Sequence, residues 1–106
     1  MPKYLFHGSY TQEGLKGLLK EGGSKRRETA EQAMKSAGGT LEAYYFAFGD
    51  NDFYVILDLP DNVSVTAASL VIGAGGAATV KTVVLLTPEE VDEAVKKTVD
   101  YRPPGQ

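Results

Sequence analysis

The sequence predicts an α+β domain with elements in the order β-α-β-β-α-β and a short terminal helix. Three observations carry that prediction. Four segments alternate apolar and polar residues or read as β-rich runs. The segments between them repeat apolar residues at helical spacing. Glycine, proline and Asp/Asn turn chemistry falls at each junction. At 106 residues one domain is expected, able to bury roughly 65% of the surface its unfolded chain exposes.

The first strand is Pro2 to Tyr10, with Tyr4, Phe6, Gly8 and Tyr10 on one side and Leu5, His7 and Ser9 on the other. Thr11 is a good N-cap, with Glu13 in the first turn and Leu15, Leu18 and Leu19 as a short apolar stripe. Gly22-Gly23 interrupts the stripe, and Ser24 is the expected cap of a second helical stretch. There Ala30, Ala33, Met34 and Ala37 face inward, and Glu31 and Lys35 make an i,i+4 pair outside. Thr40 to Phe48 and Phe53 to Leu59 are the next strands, joined as a hairpin through Gly49-Asp50-Asn51-Asp52. Pro60 stops the strand and Asp61 caps a helix through Val63, Ala67, Leu70 and Val71. That helix is apolar nearly all round, so cover on more than one side is expected. Gly73, Gly75 and Gly76 end it, and Thr79 to Leu86 is the fourth strand. Thr87-Pro88-Glu89-Glu90 places a cap, an N1 proline and a capping-box glutamate in order, with Val91, Ala94 and Val95 expected inward. The expected domain is residues 1–98, followed by a flexible tail over 99–106.

This order is the ferredoxin-like, split βαβ arrangement, with a four-stranded antiparallel sheet and both long helices on one side. The other sheet face is left bare, where polar alternation is the usual pattern. Yet Tyr44, Phe46 and Phe48 oppose Tyr45 and Ala47, and Phe53, Val55 and Leu57 oppose Tyr54 and Ile56. In the fourth strand Val83 and Leu85 lie opposite Val80, Val84 and Leu86. A bare apolar face of that size predicts a second copy packed against it, closing a dimeric α/β barrel. The competing reading has the terminal helix cover part of the face.

Composition removes several function classes. The hydrophobic fraction is 42% and the charged fraction 24%, ordinary values for a globular domain. Without cysteine the chain has neither disulfides nor thiolate metal sites, which fits a reducing compartment such as the cytoplasm. The N-terminal stretch does not read as a signal peptide, and no apolar run reaches the ~20 residues of a membrane span. A net charge of −3 argues against non-specific nucleic-acid binding.

On the residues Tyr10-Thr11-Gln12-Glu13-Gly14, Tyr45-Phe46-Ala47-Phe48-Gly49, Asp52, Leu59-Pro60-Asp61 and Val80-Lys81-Thr82, the chain resembles the GYD domain family. Thr87 to Glu90 also resembles that family's closing helix start. The resemblance runs over about residues 2 to 97. Asn51 stands where the glycine-tyrosine-aspartate pattern that names the family has its tyrosine. The resemblance implies membership of the dimeric α/β-barrel superfamily. Its relatives include cofactor-free monooxygenases, lactone isomerases, haem-handling proteins and ligand-sensing modules, so it implies a fold more than a reaction.

His7, the only histidine, is the candidate general base; the alternative is a strand histidine bonded to a neighbour. Tyr45, Tyr54, Asp58 and Lys81 are polar-tipped strand residues, the candidate lining of a small-molecule pocket; alternatively their tips reach solvent at an interface rim. Asp50, Asn51 and Asp52 resemble the start of a calcium loop, but Phe53, Tyr54 and Val55 fill positions that need a ligand and a glycine, so a hairpin turn is expected. Gly73 to Ala78 fits G-x-G-x-x-A, but with a helix before and a strand after, the reverse of a dinucleotide site. Ser24-Lys25-Arg26-Arg27 sets three cations at a helix start, a candidate phosphate or carboxylate holder or a solvated turn with Arg27 paired to Glu31.

The sequence therefore predicts a homodimer or higher homo-oligomer, with a small apolar or aromatic molecule bound at the sheet face. No cofactor or metal is expected, and neither nucleic acid nor membrane is an expected partner. The alternative is a structural or sensing module, without catalysis, whose interface is filled.

Overall fold

A computed structural model describes residues 1–106. The strands are β1 (Lys3–Tyr10), β2 (Thr40–Phe46), β3 (Phe53–Asp58) and β4 (Ala78–Leu85). The helices are α1 (Gln12–Glu21), α2 (Gly23–Ser36), α3 (Asn62–Ala74) and α4 (Pro88–Ala94). One open sheet has the order β2-β3-β1-β4, antiparallel throughout. The fold is thus α+β with a four-stranded antiparallel sheet and four helices, as expected to that level.

Register fixes which residues share a face. Tyr4, Phe6 and Gly8 of β1 stand opposite Leu57, Val55 and Phe53 of β3. Tyr4, Phe6, Phe53, Val55 and Leu57 join Met34 of α2 and Val65 of α3 in the core. Gly8 is required there. A Cβ at that position would lie 1.8 Å from the Thr79 carbonyl oxygen and 3.1 Å from the Phe53 ring. Side chains alternate across a strand, so Leu5, His7 and Ser9 point to the other face, where no helix lies. A bulge at Leu41/Ala43 lets Glu42 turn toward Lys3. The Lys3 ammonium sits 2.9 Å from Glu42 and 3.0 Å from Asp58. Hydrogen bonds to Glu42 and then Asp58 hold its pKa above the ordinary lysine value.

Helix starts follow the caps read in the sequence at three of four positions. Thr11, Asp61 and Thr87 accept from the amides of Gly14, Ser64 and Glu90, and Thr87 and Glu90 complete a capping box. The Ser64 amide also holds the Asp61 carboxyl below its ordinary pKa. Ser24 is the exception. Gly22 takes φ of +84°, a backbone that side chains disfavour, so the chain turns at once and α2 begins at Gly23 with Ser24 already inside it.

Two further expectations are corrected. α3 is not covered on several sides: Val65 is its one buried residue, and Val63, Leu70 and Val71 are exposed. Val91, Ala94 and Val95 of α4 do not face inward. Every residue from Pro88 to Gln106 is exposed, in a molecule measuring 57 × 32 × 22 Å. α4 therefore does not cover the bare sheet face. No helix is long and apolar enough to cross a membrane.

Candidate functional site

Between the covered sheet face and helices α2 and α3 lies a cavity of about 250 Å³. Small residues leave this space. Ala30 and Ala33 come from α2, Ala77 and Ala78 from the entry to β4, and none fills the gap above the sheet. The rest of the lining is mostly apolar, with Phe6, Phe53, Val80 and Ile72 among its walls. The polar side chains of the lining are Tyr10, Tyr44, Arg26 and Thr29, and the first three meet at the end where β1 closes.

The two tyrosines form the built part of that end. Tyr10 closes β1 and Tyr44 lies in β2, and their hydroxyl oxygens are 2.5 Å apart. Phe53 and Phe46 pack against both rings, at centroid distances of 5.1 to 6.4 Å. Burial pushes both phenols above the ordinary tyrosine pKa, Tyr10 the further. Their shared hydrogen bond adds to the rise at Tyr10 and opposes it at Tyr44. The Arg26 charge pulls both values down against burial. Behind Tyr10, the Asp52 carboxylate accepts that residue's backbone N–H at 2.9 Å.

The sequence-derived candidates lie elsewhere. His7, Tyr54 and Tyr45 stand side by side across β1, β3 and β2, and Lys81 of β4 pairs with His7. Four of the five candidates thus form one lateral row on the bare face, across the sheet from the cavity. The His7 and Tyr54 rings are near parallel with centroids 6.1 Å apart. With Nδ1 protonated, His7 donates to Asn51 Oδ1 at 3.1 Å, and Asn51 Nδ2 donates to the Tyr54 hydroxyl at 3.3 Å. Asp58 shares the face but not the row. It sits where β3 meets the start of β1, paired with Lys3.

The remaining motifs resolve locally. Asp52 is a turn-former, since its amide also donates to the Gly8 carbonyl at 2.7 Å. The Gly73 to Ala78 segment ends α3 and opens β4, so it holds no dinucleotide geometry. Of the three cations after Ser24, Arg27 lies 3.8 Å from Glu31, and Arg26 lines the cavity. Tyr10 and Tyr44 were not singled out from the sequence. The signal available was their inward phase in β1 and β2, where a phenol among core residues needs a partner.

Helices on one side of an antiparallel sheet, with a mostly apolar cavity between the layers and a tyrosine pair in its lining, define a small α+β domain with a pocket under its helices. The chain belongs to the GYD domain family, whose model matches residues 4–95. No match was found among the curated proteins or among the solved structures.

Proposed function

We propose that the two faces of the sheet have separate tasks: the covered face binds a small apolar or aromatic molecule, and the bare face binds a second copy of the chain. The observation that carries the first task is the mostly apolar cavity with the Tyr10–Tyr44 pair and Arg26 in its lining. Apolar cavities of about 150 Å³ already accept benzene, so about 250 Å³ suits one or two fused rings. Most small-molecule sites share this plan of apolar walls and a few convergent polar groups.

Self-association rests on the bare face and on the arm that begins at Leu86. The strand order is read as ferredoxin-like, and two such sheets packed face to face make a dimeric barrel. Four strands about 4.8 Å apart and about seven residues long give a face of roughly 450 Å². Stable interfaces bury about 800 Å² per partner. Exposed Leu86, Val91, Val95, Val99 and Tyr101 supply apolar surface beyond the sheet. In this reading His7, Tyr45, Tyr54 and Lys81 form the polar row of the interface, and the ligand is bound by Tyr10, Tyr44 and Arg26.

Binding is tested with indole as the probe, following the methyl resonances of Met34, Ile72 and Val80. Saturable shifts confined to cavity residues are expected. Unmoved resonances at millimolar indole reject the cavity as a site. A filled, non-binding module is the second reading, and it predicts that outcome.

A further inference from the structure

Resting on the cavity as a ligand site, we propose that its ligand is a small aromatic carboxylate, seated with its ring between sheet and helices and its carboxylate between Arg26 and the Tyr10–Tyr44 pair.

Arg26 carries the first part of this. The chain has three arginines, and the other two are engaged. Arg27 pairs with Glu31, and Arg102 donates to the Gln106 carbonyl. Arg26 is half-buried, and its guanidinium has neither a salt bridge nor a side-chain hydrogen bond. Its helix neighbours at three and four residues are Gly22, Gly23, Thr29 and Ala30, so α2 offers it no carboxylate. A planar fork of donors beside an apolar cavity matches a carboxylate in two-point geometry.

The tyrosine pair carries the second part. In a hydroxyl–hydroxyl pair one oxygen receives the partner's proton and keeps its own hydrogen to donate elsewhere. Two phenols therefore leave one O–H for a ligand at the polar end. Both rings are held by Phe46 and Phe53, so that donor is positioned before a ligand arrives. Asp52 is the nearby negative charge. Its Oδ2 accepts the Tyr10 amide, and no ion pair joins it to Arg26. Apart from Thr29, whose hydroxyl donates to the Lys25 carbonyl, the remaining side chains of the lining are apolar, which favours a ring over a polar body.

The test compares 2-naphthoate with 2-naphthamide, equal in shape and different in charge, by titration calorimetry on the full chain. Wild type is expected to bind the acid about tenfold tighter than the amide, the scale of one charge-assisted hydrogen bond. Arg26→Gln removes that preference and keeps amide binding, and Arg26→Lys restores part of it. Tyr10→Phe with Tyr44→Phe weakens the acid more than the amide. Equal binding of acid and amide to wild type overturns the carboxylate while leaving the cavity reading intact. Binding of neither overturns both. Acid binding that survives Ala30→Leu, which fills the cavity, places the anion outside and overturns the proposal.

Discussion

Ile56 and Leu57 are neighbours in β3 and face opposite sides of one sheet. Leu57 is 0% exposed, under α2 and among Tyr4, Val55 and Met34. Ile56 lies between Leu5 and Ala43 with no helix above it. The covered face lies under helices yet is underfilled, with small residues leaving room in its centre. The bare face is apolar in composition yet unsealed, with a row of polar tips across it. The first condition makes an interior available to a ligand, and the second makes an exterior available to another copy.

The largest expected effect separates these two residues. Leu57→Ala costs about 2–5 kcal/mol in urea unfolding, because a sealed site cannot recover the lost contacts. Ile56→Asp costs much less in the isolated chain but shifts light scattering from dimer to monomer at micromolar concentration. If Ile56→Asp changes neither mass nor stability, the bare face has no task. If wild type scatters only as a monomer, the proposed barrel fails.

Filling the cavity comes next. Ala30→Leu raises stability by about 0.5–2 kcal/mol, the usual gain from occupying a void, and leaves the mass unchanged. A loss of stability would mean that the space above the sheet is smaller than it looks.

A smaller effect lies in alkaline solution. Above pH 10 the unfolded chain releases the protons of Tyr10 and Tyr44, whose folded values are raised. The unfolded state then binds fewer protons than the native state, so stability falls as pH rises. Lys3 gives the same sign. The difference between wild type and the double Tyr→Phe variant therefore isolates the pair: the variant should show the shallower decline between pH 9 and 11.5. Equal slopes would mean that the phenols are not buried.

The smallest effect is local. Thr87→Ala removes the hydroxyl that accepts the Glu90 amide, leaving the Glu90 carboxylate on the residue-87 backbone N–H, and costs the α4 helix about 1 kcal/mol. Amide exchange should speed from Val91 to Val95 while the sheet stays protected, because α4 buries nothing of its own. Faster exchange in β4 would show the arm braced against the domain.

Elements and faces were legible because they rest on local physics. Period-two alternation put Tyr4 and Phe6 on one side of β1 and His7 on the other without saying which side is the core, and caps at Thr11, Asp61 and Thr87 set three helix starts. Ser24 misled because a serine near a double glycine reads as a cap until Gly22's backbone is known. Val91 and Val95 misled because helical spacing shows that a stripe exists, not what it meets. The cavity was not legible, because the void under Ala30 and Ala33 depends on the height of α2 above the sheet. Arg26 was half legible: its charge stood out among three cations, and only the helix phase separates it from Arg27.

The hairpin tip has one further consequence. Asp52 binds the Tyr10 amide, on the cavity's side, and Asn51 binds His7 and Tyr54 on the bare side. Tyr10 beside the cavity and His7 on the bare face are thus tethered to adjacent residues, one peptide unit apart. The tip links the tyrosine that lines the cavity to the polar row on the bare face through a single peptide unit.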